Sequence, residues 1–385
     1  MKIAVFTSGR QDWGILAPVV RELRSSALVT VTIIAGGMHC RDGRQPERLD
    51  DIAIDVLLPI LPLNDDDQEV ARVAGETTSA IARALVQLKA EALLLVGDRS
   101  ETLAAGLAAT CLRVPIIHLH GGEETAGAID NTCRHALTKL AHLHAVAHPS
   151  FRDRLIAMGE RPDRVVVSGA PALDQLLATP LISPAELLRH LGLTQLGSPL
   201  LILTHHPTTL ADISPQAEIN AVLTGTERAL VGLDHARVIM TRANADAGGA
   251  AINAELAAKA ATDRRFILVE DLGSTRFWSL LRLAHMMIGN SSSGILEAPS
   301  FQLPVVNIGD RQKGRLRVHT VIDVVPEAPA IANAVRDTLQ RQRLPSSPIA
   351  SAYGDGQAAP RIRIAVESFA TESRAARLSK NEYPT

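Results

Sequence analysis

EALLLVGDRSETLAAGLAATCLRVPIIHLHGG, residues 91–122, decides the fold. Two apolar runs, ALLLVG (92–97) and PIIHLH (115–120), flank a segment that reads as a helix. Each run is near-continuous instead of alternating, which suits a strand buried on both faces of a parallel sheet. Working outward, the unit recurs. KIAVFT (2–7), LVTVTIIA (28–35) and DVLLPI (55–60) precede it; HAVAH (144–148) and VVVSG (165–169) follow. The segments between carry helical spacing, and Ile129, Cys133, Ala136, Leu137 and Leu140 fall on one stripe. Strands alternating with helices predict a doubly wound α/β domain.

The rhythm breaks between about residues 176 and 198, where TPLISPAELLRHLGLTQLGSP carries three prolines and two glycines around one amphipathic piece. A second series then begins: PLLILTHH (199–206), ARVIMTR (236–242), RFILVED (265–271), AHMMIGN (284–290), PVVNIG (304–309) and VHTVIDV (318–324). The expected fold class is therefore α/β, with two doubly wound parallel-sheet domains facing a central cleft. The first spans 1–177 and is completed by a C-terminal helix at 360–375; the second spans 178–355. Open α/β sheets bind ligands at the carboxyl ends of their strands.

Composition narrows the function. The chain has 385 residues, 46% hydrophobic and 21% charged, with a formal charge of −2. That balance gives no global field to attract nucleic acid or an anionic membrane, so neither is expected as a partner. Aromatic residues are only 3%, too few for base-stacking platforms. Three cysteines (Cys40, Cys111, Cys133) form no CxxC pair or disulfide framework, which fits a reducing compartment. The opening MKIAVFTSGR reads as a strand and turn instead of a signal peptide, and no apolar stretch of about 18 residues appears. A cytoplasmic location is the expectation.

Several strand ends carry chemistry. SGRQDWG (8–14) runs from a small-residue turn into a helix, offering backbone N–H groups and Arg10 to an anion. It matches neither GxGxxG nor GxxxxGK[ST]. MMIGNSSSGILEAPS (286–300) sets Ser291 and Ser292 in a hydroxyl-rich cradle at a helix start, with Glu297 one turn on to hold ribose hydroxyls. A serine helix cap is the plainer alternative. GDRQKGRLR (309–317), with four cations in seven residues, reads beside the cradle as a diphosphate clamp. Asp98 and Arg99 follow one strand, and His118, His120, Glu123, Glu124 and Asp130 follow the next. Carboxylates and imidazoles at adjacent strand ends suit proton transfer at carbon. Asp130 is open to a second reading as a helix cap. His118 and His120 alternate on one strand face, but without metal-ligand spacing no metal is expected. His142, His144 and His148 read as packing or surface residues, whereas one of His205 and His206, with His206 the candidate, would face a ligand.

Together these residues resemble the hydrolysing UDP-N-acetylglucosamine 2-epimerases of the sialic and legionaminic acid pathways, whose two-domain fold is called GT-B. The similarity runs from Thr7 to about Asp323. It is most specific in GMHC (37–40), VGDR (96–99), LHGGEETAGAID (119–130), RHALTKLAHLH (134–144), HHPTT (205–209), NADAG (244–248) and GNSSSGILEAPSFQLPVVNIGDRQKGR (289–315). The resemblance implies that Arg10, His206, Ser291, Ser292 and Arg311 surround the diphosphate and that Glu297 binds the ribose. It adds His39, Arg99 and Asn244 to the substrate set, and it assigns proton transfer to Asp98 and Asp130. Several members have a glutamate before the paired glycines where this chain has His120; its acidic neighbour Glu123 lies after them, and which of the two acts stays open.

The implied reaction converts UDP-N-acetylglucosamine and water to N-acetylmannosamine and UDP. A carboxylate takes the C2 proton as the diphosphate leaves C1, giving a 2-acetamidoglycal; protonation at C2 from the other face and water addition at C1 follow. No hydride moves and no cofactor is expected. The alternative is the same chemistry on UDP-N,N'-diacetylbacillosamine in legionaminic acid synthesis. Rivals are a GT-B glycosyltransferase, a silent nucleotide-sugar binding protein and a non-hydrolysing 2-epimerase. The expected partners are the UDP-sugar and UDP, and a second copy of the chain, a dimer being the symmetric default.

Overall fold

ALLLV, residues 92–96, lies buried at all five positions between two parallel neighbours, and the first sheet is built around it. The computed structural model describes residues 1–64, 66–124, 129–208, 213–244, 248–270, 272–341 and 351–380. These divide into two compact units. The first draws on Met1–Glu123, Ile129–Gln175 and Tyr353–Thr385, the second on Leu176–Ala352.

The first unit runs β1 (Lys2–Thr7), α1 (Arg10–Arg24), β2 (Thr30–Gly36), a 3-10 turn (Gly37–Gly43), the short pair β3 (Arg48–Leu49) and β4 (Ile52–Ala53), and β5 (Val56–Leu58). It continues with α2 (Asp67–Leu88), β6 (Ala92–Val96), α3 (Ser100–Cys111), β7 (Ile116–Leu119), α4 (Asp130–Leu140), β8 (Leu143–Val146), α5 (Pro149–Ala157), β9 (Val165–Val167) and α6 (Pro171–Ala178). Seven strands form one sheet in the order β5-β2-β1-β6-β7-β8-β9, every pairing parallel. One face packs Ile3, Val5, Ile33, Leu94 and Ile117. The other packs Ala4, Phe6, Ile34, Leu93 and Ile116. This two-sided burial is why the apolar runs do not alternate.

The second unit holds α7 (Pro184–Leu191), β10 (Leu200–Thr204), α8 (Pro215–Ala229), β11 (Arg237–Thr241), α9 (Gly249–Thr262), β12 (Phe266–Val269), α10 (Gly273–Leu283) and β13 (Met286–Gly289). The one-turn α11 (Ser293–Leu296), β14 (Val305–Ile308), β15 (Val321–Val324) and α12 (Ala328–Leu339) complete it. Its six strands are parallel in the order β12-β11-β10-β13-β14-β15.

Both sheets reverse direction beside their first strand, at β1/β6 and β10/β13. A doubly wound sheet offers a ligand its crevice at such a switch point. At the second, Gly289 has φ +127, and a Cβ there would stand 2.0 Å from the Thr204 carbonyl oxygen. Only glycine lets the two strand ends close to that distance.

The chain then returns to the first unit. The segment expected as one helix at 360–375 is two, α13 (Ala358–Thr371) and α14 (Arg374–Leu378), because Ser373 breaks the first and its Oγ accepts from Ala376 N–H at 3.2 Å to start the second. Asp174 on α6 accepts from the N–H groups of Ala358 and Ala359 (2.9 and 2.6 Å), capping α13 from outside. Ala359, Ile362, Val366 and Phe369 join the core beneath α1. Among the described residues no helix is long and apolar enough to cross a membrane.

Candidate active site

At the ends of β6 and β7 the first unit gathers Asp98, His120 and Glu123 around a residue that the sequence reading passed over. Arg134, on α4, is almost wholly buried. One of its terminal nitrogens donates to Asp98 Oδ2; the other donates to the Glu123 carbonyl oxygen (2.8 Å) and to Asn131 Oδ1 (3.4 Å). Asp130 is the first helical residue of α4, one turn before Arg134. It does not cap the helix, since the cap position is Ile129 and no side-chain cap bond forms. Ile129 itself lies outside the apolar stripe and is 54% exposed, because it precedes the first turn.

His120 does not share a strand face with His118. β7 stops at Leu119, and His120 has φ +63, the left-handed region that costs a non-glycine residue energy. Its Nδ1 lies 2.6 Å from Glu123 Oε1, while its buried Nε2 meets no hydrogen-bond partner among the described residues. A carboxylate at Nδ1 keeps the proton on that nitrogen, so Nε2 presents a lone pair. Such an atom can accept a proton. His118 is a core residue: burial lowers its pKa to about 3, and Nε2 bonds the Gly97 carbonyl at 2.8 Å, just before Asp98. His144 is buried against Glu160, His142 accepts from Ile116 N–H, and His148 caps α5.

Arg10 opens α1 at the β1 end, exposed. The turn before it already holds an anion of its own. Ser8 donates from its N–H and hydroxyl to Asp12 Oδ2 (2.9 and 2.7 Å), so that part of the expected anion cradle is taken. His39 is buried with Nε2 3.0 Å from Thr7 Oγ1. Burial, and then the charge of Arg10, lower its pKa to about 4 and keep it neutral. Arg99 precedes α3, with Nε 3.7 Å from Glu101 Oε2.

In the second unit the switch point is organised by Asn290, fully buried. Its side chain accepts from His206 N–H (2.7 Å) and donates to the His206 carbonyl (2.8 Å); its own carbonyl accepts from Arg311 (3.2 Å) and Gln312 (2.8 Å). His206 Nδ1 accepts from Asn244 N–H at 3.1 Å, which leaves Nε2 to carry the proton as a donor. Burial and then Arg311 lower the His206 pKa to about 3, so the ring is neutral. His205 instead points into the core toward Glu218, at 3.4 Å.

In the run at 309–317, Lys313 pairs with Asp310 and Arg317 with Asp323 (3.2 and 3.0 Å), while Arg311 donates to the Asn290 carbonyl. The serines partly serve their own turn: Ser291 Oγ accepts from Ser293 N–H (3.3 Å), with Ser292 between them. Glu297 follows α11 and accepts from the Trp278 indole N–H at 2.9 Å, its pKa raised by burial. Arg134 and Asn290 are the members the sequence reading missed. A charged residue on the buried face of a helix, next to Cys133 and Leu137, was the available signal for the first.

Among the described residues no three His, Cys, Asp or Glu side chains are grouped to hold a metal ion. The fold is shared with the UDP-N-acetylglucosamine 2-epimerase of Neisseria meningitidis solved with UDP-GlcNAc bound, at TM-score 0.76 and 19% identity over 97% of this chain and 100% of that one. The chain is 35% identical over 326 residues to the GDP/UDP-N,N'-diacetylbacillosamine 2-epimerase (hydrolyzing) of Campylobacter jejuni, covering 84% of each. It is 31% identical over 365 residues to the UDP-N,N'-diacetylbacillosamine 2-epimerase (hydrolyzing) of Legionella pneumophila, covering 94% of each. A family model described as UDP-N-acetylglucosamine 2-epimerase matches residues 21–367. With α/β architecture, parallel sheets and this match in agreement, the chain belongs to the UDP-N-acetylglucosamine 2-epimerase family.

Proposed function

We propose that this protein is a hydrolysing 2-epimerase that releases UDP from a UDP-2-acetamido sugar and inverts its C2. The observation that carries the reading is the Arg134 cluster. It brings a carboxylate (Asp98) and an imidazole with a free Nε2 (His120) to adjacent strand ends, as removal of one proton and delivery of another from the opposite face require. Asp98 removes the proton at C2 and His120 returns one from the other face; Asp130, to which the resemblance also assigned proton transfer, opens α4 one turn before Arg134. Of His120 and Glu123 we take His120 as the acting residue, through Nε2, with Glu123 as the carboxylate that orients the ring, a reading supported by their 2.6 Å contact. Loss of the diphosphate makes C1 cation-like and the C2 hydrogen removable; the C1–O bond breaks as the proton leaves, and the glycal then takes hydroxide from water at C1 and a proton at C2.

Arg311, the His206 Nε2–H, Ser291 and Ser292 stabilise the departing diphosphate, one such donor contributing on the order of 3 kcal/mol to barrier lowering. Glu297 holds the ribose, and Arg10, His39, Arg99 and Asn244 complete the substrate contacts. The two relatives that carry the diacetylbacillosamine name, at 35% and 31% identity, favour UDP-2,4-diacetamido-2,4,6-trideoxyglucose as substrate over UDP-N-acetylglucosamine. A glycosyltransferase is not favoured, since the family match and these names point to epimerases. Incubation with either nucleotide sugar should yield free UDP and a free 2-acetamido sugar of manno configuration. An intact, epimerised nucleotide sugar would point to the non-hydrolysing reaction.

A further inference from the structure

β7 reads Ile116, Ile117, His118, Leu119, and every one of these side chains is fully buried. Three are hydrocarbon; the histidine carries two nitrogens into the same core. Burying a polar ring costs free energy unless its atoms find hydrogen-bond partners. His118 finds one. Its Nε2 lies 2.8 Å from the Gly97 carbonyl oxygen, while Nδ1 is buried with no hydrogen-bond partner among the described residues. The residue beside it on β8, His144, is engaged by Glu160 instead. A leucine would fill this place and leave no nitrogen unpaired, so packing does not account for the histidine. The bond to Gly97 does. A carbonyl oxygen only accepts, so Nε2 carries the proton and donates it. Burial lowers the ring's pKa to about 3, which keeps it neutral and in this tautomer at neutral pH.

The acceptor sits where the backbone leaves β6. Val96, the last residue of the strand, pairs with Leu119, and the Gly97 N–H still donates to the Leu119 carbonyl at 3.1 Å. At Gly97 itself φ is +78, which turns the chain out of the ladder, and the turned carbonyl is met by the His118 ring. Glycine populates both signs of φ at similar energy, so this is the softest joint of the turn, and a fixed carbonyl takes that freedom away. Asp98 is the next residue. Arg134 holds its carboxylate from α4, while His118 holds the peptide carbonyl immediately before it from β7. Side chain and backbone are thus restrained from separate elements. Resting on the epimerase reading above, in which Asp98 takes the C2 proton, we infer that His118 is a positioning residue for the reaction: its Nε2–H pins the Gly97 carbonyl, sets the turn after β6, and thereby aims the Asp98 carboxylate. Its effect belongs to kcat and not to nucleotide affinity, because the proposed diphosphate set stands in the second unit.

A pair of variants of similar length separates the bond from the packing. His118→Met fills the place without a donor, and His118→Gln supplies an amide N–H to the same carbonyl. Each is compared with the full-length parent by thermal melt, by titration with UDP, and by the rate of UDP release from UDP-2,4-diacetamido-2,4,6-trideoxyglucose or UDP-N-acetylglucosamine, whichever the parent turns over. His118→Met should lower kcat at least about tenfold and up to about a hundredfold, the scale of a misplacement of about 1 Å, with UDP affinity unchanged. His118→Gln should recover most of that loss. In an Asp98→Asn background His118→Met should cause no further loss, because its effect runs through Asp98. A folded His118→Met with the parent's kcat, a loss that His118→Gln does not recover, or a loss that persists in full beside Asp98→Asn overturns the inference and leaves the epimerase reading standing. Should His118→Met fail to fold, nitrogen NMR of the parent's histidine rings decides: a neutral His118 protonated on Nε2 is expected, and a proton on Nδ1 overturns the inference. Asp98→Asn that releases UDP at the parent's rate overturns the assignment of Asp98 and the inference with it.

Discussion

Arg134 is the residue on which the first unit's chemistry turns, because it holds the Asp98 side chain and the Glu123 backbone at once. Arg134→Leu should destabilise the fold by about 3–5 kcal/mol, the effect of stranding a buried partner charge. Arg134→Lys keeps the charge but reaches one partner, so melting should move less while kcat falls about a hundredfold, the smaller end of what positioned proton transfer contributes. Thermal melts and UDP-release rates of the two variants, side by side, check this. In the second unit Glu297→Gln retains an acceptor for the Trp278 indole, so the fold should persist, and titration with UDP should show affinity weakened about tenfold if the carboxylate meets the ribose. The carboxylates, His206 and Arg311 were readable as candidates because each stands in a turn after an apolar run. Arg134 and Asn290 were not, since they act by tying others together, and such ties span separations that no local pattern records: Arg134 to Asp98, and Asn290 to His206. The left-handed backbone at His120 was equally hidden.

At the scale of elements, the strands were legible because burial on both faces makes each a continuous apolar run, and both switch points followed from strand order once pairing was known. Helix limits were less so. The segment expected as one C-terminal helix is divided at Ser373, and the Asp174 cap that begins α13 lies 184 residues away in sequence. α13 is part of the first unit's core. Phe369 is fully buried, with the Arg164 guanidinium 5.2 Å from its ring centre. Phe369→Ala should therefore cost about 3–5 kcal/mol. Urea unfolding of this variant should show an earlier midpoint with little change in UDP affinity, since Phe369 packs in the first unit's core and the proposed diphosphate set stands in the second unit.

For the whole molecule, histidines whose pKa burial lowers set an acid limit, His144 among them. His39 and His142 have pKa values lowered to about 4, and His118 and His206 to about 3, each first by burial. The unfolded chain takes up these protons as pH falls below about 6.5, while the folded chain does not. Folded-state values lie below unfolded ones, so this stability is complete above pH 6.5 and is lost toward pH 3. Each group contributes a slope of up to about 1.4 kcal/mol per pH unit. Asp12, Asp174 and Glu297, raised by burial, titrate in the opposite sense at the acid end and offset part of the loss. Calorimetric Tm should be flat from pH 8.5 to 7 and fall between pH 6.5 and 5. The catalytic account makes its sharpest demand on a single atom, the hydrogen on C2. When UDP-2,4-diacetamido-2,4,6-trideoxyglucose is turned over in D2O and the product is read by NMR, the account predicts released UDP together with a free manno-configured sugar carrying one deuterium at C2. A released sugar that keeps its original C2 hydrogen would contradict it.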